Sequence, residues 1–178
     1  MATFVLEEWY KGDKCTIYSI RKDLDDVASL TEADKFFEKY GKSEDSEIVA
    51  ATQLMLQFLT NEICKNHGAD LLFFNRDENK AFALPFKKNY QIRRIYEIDF
   101  FYENYPLRLF CYRISDGIMI VYNGGIKSSG SVQGSEDLTI PFRDAQHYTT
   151  KIQDAIDGNI IEIKVNELIS DDPEEIIL

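Results

Sequence analysis

Two apolar, β-prone segments in the middle of the chain predict a hairpin. Leu107–Ile114 and Ile118–Tyr122 flank the tripeptide Ser115-Asp116-Gly117. Asp-Gly between two such segments is among the strongest short hairpin signals, because Gly accepts a positive φ without strain. The first segment carries apolar residues on both faces, which is typical of an inner strand covered on both sides. We therefore place this hairpin at the centre of an antiparallel sheet.

Apolar residues at three- and four-residue spacing predict two amphipathic helices. The first ends at Asn66-His67-Gly68, and the second runs from Pro141 to Gly158. Pro is tolerated in a first helical turn, and Gly is a common residue just past a helix end. The capping-box sequence Ser29-Leu30-Thr31-Glu32 predicts a third, shorter helix that ends at Gly41.

Shorter β-prone runs supply the remaining strands of the expected sheet. They are Phe4–Tyr10, Cys15–Ile20, Leu71–Asn75, Ala81–Phe86, Ile92–Tyr102 and Ile160–Val165. Asn123-Gly124-Gly125, after the hairpin, predicts a bulge or a bend where another group approaches the backbone. We expect an α+β protein with a curved antiparallel sheet of about five or six strands and two or three flanking helices. Residues 1–165 form a single domain, and residues 166–178 form a loose acidic tail whose last three apolar residues need a partner surface.

Composition narrows the class of protein. A content of 44% hydrophobic and 13% aromatic residues excludes a disordered chain. There is no apolar run of membrane-spanning length and no signal-peptide pattern at the N-terminus, so we expect a cytoplasmic protein without a membrane partner. Cys15, Cys64 and Cys111 are odd in number and widely spaced, which predicts reduced core thiols rather than disulfides or a metal site. We expect no cofactor.

Charge is distributed unevenly along the chain. The net charge of −11 argues against indiscriminate binding to nucleic acid. Residues 80–130 are the exception, with eight Lys or Arg against four Asp or Glu. A solvated sheet face or an anion-binding surface would both explain this block. Its cations are Lys80, Lys87, Lys88, Arg93, Arg94, Arg108, Arg113 and Lys127.

Arg108 is a cation on an otherwise apolar strand. Either its stem packs while its head reaches solvent or a carboxylate, or it forms the edge of a site. Phosphate-loop, zinc, calcium and nucleophile-elbow motifs are all missing from the sequence. The two histidines have structural interpretations: His67 can contact free carbonyls at a helix end, and His147 can lie on a solvated helix face.

The order of several short motifs resembles the RelE/HigB-like toxins, in particular their phage-derived HigB-like branch. The resemblance covers roughly residues 45–157 and leaves the earlier residues as an N-terminal extension. Its motifs are a helix ending in Asn66-His67-Gly68, the segment Ile95–Ile98, the strand Leu107–Tyr112, the stretch Asp116–Ser129, and a closing helix with Ala145 and Lys151.

This resemblance implies a toxin of a toxin-antitoxin system that cleaves mRNA on the ribosome and uses the RNA 2′-hydroxyl as nucleophile. Arg108 matches the strand arginine of the family, and Lys127 matches the lysine after its second strand. The basic block adds Arg113 as a third catalytic candidate. Its RNA-binding candidates are Lys87, Lys88, Arg93 and Arg94. The implied partners are an antitoxin protein and the ribosome with its mRNA.

A second function remains open, because the chain departs from the family pattern after Lys127. Ser128 stands where a second lysine is usual, and Ser129–Leu138 contains acidic but no basic residues. The alternative is a non-catalytic protein-interaction module on a RelE-like scaffold, of phage or mobile-element origin. A small-molecule enzyme has no supporting motif.

Overall fold

The computed structural model describes residues 4–97, 101–128 and 134–178. These residues form an α+β fold, as the sequence predicts. The strands are β1 (Val5–Lys11), β2 (Thr16–Arg21), β3 (Asp77–Glu78), β4 (Ala81–Leu84), β5 (Leu107–Ser115), β6 (Ile118–Ile126), β7 (Ile161–Ile163), β8 (Leu168–Ser170) and β9 (Ile176–Ile177). The α-helices are α1 (Glu32–Gly41), α2 (Ser46–Gln57), α3 (Tyr90–Tyr96) and α4 (Thr139–Asp157). A π-helix, Phe58–His67, continues α2, and Leu71–Phe73 and Glu136–Leu138 are short 3-10 turns.

The main sheet has seven strands in the order β3-β4-β5-β6-β2-β1-β9. All neighbours are antiparallel except β2 and β6, which pair in parallel. The sheet is therefore larger than expected and is not purely antiparallel. Every residue of β2 is buried, and the Ser19 hydroxyl donates a hydrogen bond to the Val121 carbonyl at 2.7 Å. The N-terminal hairpin thus supplies an interior strand.

The central hairpin forms as predicted, with Asp116 and Gly117 at its turn. Strand β6 is longer than its apolar run, because Gly124 and Gly125 continue the pairing with β5. A register shift between Leu109 and Cys111 marks a bulge at the predicted place. A Cβ atom on Gly124 would lie 1.9 Å from the Arg108 carbonyl oxygen, so only glycine fits there.

The two faces of the sheet carry separate cores. On one face β5 and β6 pack against α1, α2 and the π-helix, with Phe36, Phe58 and Leu109 fully buried. On the other face they pack against α4, and Phe110 contacts Phe142 with ring centroids 5.9 Å apart. This arrangement explains why the first hairpin strand is apolar on both sides. All three cysteines are buried free thiols.

Local hydrogen bonds set the ends of the helices, and the sequence predicts these ends to within a few residues. The capping box of α1 forms two residues later than expected: Thr31 accepts from the Asp34 N–H, and the Asp34 carboxylate accepts from the Thr31 N–H, both at 3.1 Å. The helix ends at Gly41 as predicted. The π-helix ends before Gly68, whose φ is +79°. The position of α4 also matches the prediction.

Two predicted strands are wrong. The helix α3, Tyr90–Tyr96, overlaps the first half of the predicted strand Ile92–Tyr102, and its first turn is capped by the Asn89 side chain, which accepts from the Gln91 N–H at 2.8 Å. Residues 98–100 of that prediction lie outside the described residues. Leu71–Phe73 is a 3-10 turn, because the Asp70 carboxylate accepts from the Leu72 N–H. Both misses arise from caps that compete with β propensity.

The prediction of a loose acidic tail is also wrong. Strands β7 and β8 form a separate two-stranded sheet, and β9 joins the main sheet beside β1. Ile176 is 8% exposed and lies opposite Leu6. The fully buried Arg21 guanidinium binds Glu175 at 2.7 Å and Glu7 at 3.4 Å. The tail is ordered because its apolar strand and its carboxylate satisfy groups on β1 and β2.

Candidate anion-binding site

Strand register places four charged side chains on the α4 face of the sheet. Side chains alternate along a strand, so Arg108 shares its face with Phe110, which packs on α4. Lys127 continues β6 one residue after Ile126, on the face of Arg108, and its N–H donates to the Pro106 carbonyl at 2.8 Å.

Arg76 and Glu78 reach the same face from β3 and the residue preceding it. Glu78 lies opposite Ala81, and the Arg76 carbonyl accepts from the Ala83 N–H at 3.0 Å. Both alanines belong to the core under α4. Paired residues on neighbouring strands point to the same side, so Arg76 and Glu78 face the same side as Arg108.

Arg108 is buried, and its hydrogen bonds among the described residues go to backbone carbonyls. It is 5% exposed, and its Nη1 atom donates to the carbonyls of Tyr105 at 3.1 Å and Leu107 at 2.9 Å. Within the described residues it has no carboxylate at ion-pair distance. Burial, and then the charge of Arg76, lower the pKa of Arg108 to about 10, against an opposing effect of Glu78. A cation held in this way is available to an anion.

Lys127 and Glu78 belong to the same electrostatic cluster. Burial lowers the pKa of Lys127, and the charges of Arg108 and Arg76 lower it further. Burial raises the pKa of the Glu78 carboxyl, although Arg76, Arg108, Lys87 and Lys127 oppose that rise. The structure therefore brings together Arg108 and Lys127, which the sequence singled out. Their catalytic roles stay predictions.

A cleft of about 240 Å³ opens beside Arg108. Its cationic lining comes from Arg76, Lys87, Lys88 and Arg108, and its aromatic lining comes from Phe86, Phe101, Tyr102 and Tyr105. Pro85, Glu103 and Asn104 complete the wall. We call this feature the basic cleft.

Local hydrogen bonds hold the walls of the basic cleft. The Asn75 amide bonds both backbone groups of Lys87, at 2.7 Å and 3.0 Å. The Nε atom of Arg76 donates to the Pro85 carbonyl at 2.9 Å. On the neighbouring strand, Gly125 lies opposite Arg108. A Cβ atom on Gly125 would come within 2.7 Å of the Asp137 carbonyl oxygen, so glycine allows the 3-10 turn Glu136–Leu138 to approach.

Arg113 lies apart from this cluster. Arg113 lies five residues after Arg108 along strand β5, which corresponds to about 16 Å of extended chain. Its Nε atom donates to the Ala69 carbonyl at 2.6 Å, and its Nη2 atom pairs with the Asp116 carboxylate at 2.5 Å. The structure thus gives Arg113 contacts at the turn end of the hairpin and does not bring it to the other two catalytic candidates.

The RNA-binding candidates divide into two places. Lys87 and Lys88 line the basic cleft, whereas Arg93 and Arg94 are exposed on the last turn of α3. Neither histidine reaches the cleft lining. His67 pairs with Glu62 at 3.2 Å and packs its ring 4.7 Å from that of Tyr96. His147 is exposed on α4, as expected.

Sequence reasoning missed Arg76, Glu78 and Tyr102. Arg76 and Glu78 lie between the predicted strands Leu71–Asn75 and Ala81–Phe86, although residues two apart share a face once the chain is extended. Tyr102 is the last residue of the predicted strand Ile92–Tyr102, whose first part is the helix α3 in the structure. Residues 129–133, within the acidic loop after Lys127, lie outside the described residues.

A larger cleft, of about 410 Å³, lies between β1, β8 and β9. Its charged lining is acidic throughout: Glu7, Glu8, Glu167, Asp172, Glu174 and Glu175. Such a surface repels phosphate, so size alone does not identify the candidate anion-binding cleft.

Within residues 4–97, 101–128 and 134–178, no group of three His, Cys, Asp or Glu side chains is arranged to hold a metal ion. In the same ranges, no helix combines the length and apolarity needed to cross a bilayer.

No family model, curated protein or solved structure matches the chain.

Proposed function

We propose that this protein is a RelE/HigB-like toxin that cleaves mRNA on the ribosome. The observation that carries the proposal is Arg108, a buried cation that has no carboxylate partner among the described residues and lines the basic cleft together with Arg76. Arg108 and Lys127, the residues that match the family pattern, belong to one cluster. An antitoxin protein and the ribosome with its mRNA are the proposed partners.

In the proposed reaction the RNA supplies its own nucleophile. The 2′-hydroxyl loses its proton to solvent water as it attacks the adjacent phosphorus, the bond from phosphorus to the 5′-oxygen breaks, and a 2′,3′-cyclic phosphate forms. Arg108 and Arg76 stabilise the negative charge that develops on the phosphoryl oxygens. Lys127 protonates the leaving 5′-oxygen, a role suited to an ammonium whose pKa is lowered.

Inducible expression in bacteria tests the proposal. We expect the wild type to arrest growth and the double variant Arg108→Ala/Lys127→Ala to relieve the arrest, because the two cations carry the anion site. Growth is followed by optical density, and cleavage is mapped on cellular mRNA by sequencing of RNA ends.

Arg143→Ala is the matched control, since Arg143 is exposed on α4 and does not line the basic cleft. This variant should remain toxic. Normal growth despite accumulation of folded wild-type protein would refute the toxin function.

The second candidate function is a non-catalytic protein-interaction module. It is favoured by α3, on which Tyr90 is 76% and Ile95 is 59% exposed beside Arg93 and Arg94. Apolar and cationic side chains together suit a partner with an acidic, apolar surface. This candidate gains if the wild type is harmless and retains a specific protein partner that Tyr90→Ala releases.

A further inference from the structure

Tyr102 is an aromatic side chain at the wall of the basic cleft. It is 45% exposed, whereas its neighbour Tyr105 is 3% exposed. The two rings lie 5.1 Å apart at an angle of 55°. The Tyr105 hydroxyl donates to the Ala51 carbonyl, which fixes the inner ring to α2. Tyr102 therefore rests on a rigid support and still presents surface to the cleft.

The chemistry of the cleft lining differs between chain segments. Arg76, Lys87, Lys88 and Arg108 supply positive charge. The segment 102–104 supplies instead an aromatic ring, a carboxylate and an amide, from Tyr102, Glu103 and Asn104. Inorganic phosphate would use only the cations. A nucleotide would use both kinds of group, since its base offers a flat apolar face and an edge of hydrogen-bond donors and acceptors.

The size of the cleft limits what can enter. At about 240 Å³ it is smaller than typical pockets for drug-sized ligands. About one nucleotide of an RNA chain is the part that fits. A base inside a duplex is stacked and paired, so it would have to be extruded before it could contact Tyr102.

We propose that the basic cleft binds one unpaired nucleotide of RNA, with its phosphate at Arg108 and its base stacked on Tyr102. The inference rests on the proposed function for its choice of RNA and adds the element that recognises the base. It makes the protein selective for single-stranded over double-stranded RNA. It also assigns Tyr102 to positioning of the strand and not to proton transfer.

Binding of RNA by the purified full-length chain tests this inference. The probe is a fluorescent single-stranded oligoribonucleotide that is 2′-O-methylated to prevent cleavage. The duplex of this oligonucleotide with a complementary strand is the second probe, and its affinity is compared with that of the single strand. Affinities are measured by anisotropy at one fixed ionic strength. We expect the wild type to prefer the single strand and Tyr102→Ala to bind it roughly fivefold or more weakly. Tyr102→Phe should bind like the wild type, because it keeps the ring.

Tyr10→Ala is the matched control, since Tyr10 is a 40% exposed tyrosine on β1 that does not line the cleft. It should leave affinity unchanged. Should Tyr102→Ala fail to fold, Tyr102→Leu, which keeps an apolar side chain against Tyr105, replaces it and is expected to weaken binding in the same way.

The outcomes separate the two proposals. Wild-type affinity in folded Tyr102→Ala, or equal affinity for single strand and duplex, overturns the role of Tyr102. If Arg108→Ala still loses binding in that experiment, the anion site and the proposed function stand. Absence of RNA binding by the wild type overturns the inference, and the growth experiment then decides the proposed function separately.

Discussion

At the scale of single residues, Arg108 shows how a buried cation can remain available to an anion. Two backbone carbonyls satisfy one guanidinium nitrogen, and the described residues place no carboxylate at ion-pair distance. Glu78 is near enough to oppose the lowering of the Arg108 pKa, but it does not form an ion pair with Arg108. The desolvation of this cation is therefore only partly compensated, which favours binding of an anion.

Glu78 gives a pH-dependent prediction at the same scale. Burial raises its pKa above the ordinary value of 4.5. The folded state then holds the Glu78 proton to higher pH than the unfolded state, so the stability from this group is complete below about 4.5 and is lost as pH rises through the folded-state pKa. We expect Glu78→Gln to be more stable than the wild type at neutral pH, with the difference shrinking in acid.

Urea denaturation of both proteins across pH 4 to 8 measures this difference. The control is Asp77→Asn, because Asp77 is the exposed neighbour on the other face of β3. It should follow the pH dependence of the wild type. A difference between Glu78→Gln and the wild type that grows toward acid would contradict the assignment.

At the scale of elements, β9 fastens the C-terminus to the N-terminal hairpin. Its register with β1 is short, two residue pairs, and the backbone bonds between Phe4 and Leu178 extend it. The Glu175 contact with the buried Arg21 adds a charge-assisted bond at 2.7 Å. Because β9 is so short, we expect its pairing with β1 to depend on the contact between Glu175 and Arg21.

We predict that Glu175→Ala lowers the free energy of unfolding by about 1.5–3 kcal/mol, because it removes a hydrogen bond to a charged, buried group. Equilibrium urea denaturation measures the loss. Glu174→Ala is the control, since the Glu174 side chain is exposed and forms no ion pair among the described contacts. It should change stability by less than about 0.5 kcal/mol. Equal effects of the two substitutions would show that Arg21 does not depend on Glu175.

At the scale of the whole molecule, an acidic protein carries a cationic recess. The net charge is −11, yet the described cluster at the start of β5 and the end of β6 combines Arg76, Arg108 and Lys127 with a single opposing carboxylate. In the proposed complex, the acidic remainder of the protein would repel the rest of the RNA chain, and contacts would be confined to the cleft and its rim.

This confinement predicts a shallow salt dependence of RNA binding. Each phosphate contacted on a single strand contributes a slope of about −0.7 to the logarithm of affinity against the logarithm of salt concentration. With one or two phosphates bound, we expect a total slope of about −0.7 to −1.4. Anisotropy titrations at several salt concentrations measure it. A slope near zero would exclude phosphate contacts, and a slope beyond about −4 would require a wider surface that includes Arg93 and Arg94.

Local patterns in the sequence predicted much of the secondary structure. The Asp116-Gly117 turn, the end of α1 at Gly41 and the span of α4 depend on residues close in sequence, so they could be predicted. The helix α3 and the 3-10 turn after Asp70 could not, because one side-chain cap outweighed β propensity in each.

For the candidate site, the sequence by itself determined that Arg108 interrupts an apolar strand and that Lys127 follows the next strand. Alternation along a hairpin puts such residues on one face. Only the tertiary structure decided that Arg76 and Tyr102 line a cleft with Arg108, that Arg113 is bound to Asp116 at the opposite end of the hairpin, and that the C-terminal strand β9 pairs with β1 at the edge of the sheet. These outcomes depend on contacts between residues distant in sequence, whose free energy comes from burial and pairing and leaves no local periodicity to read.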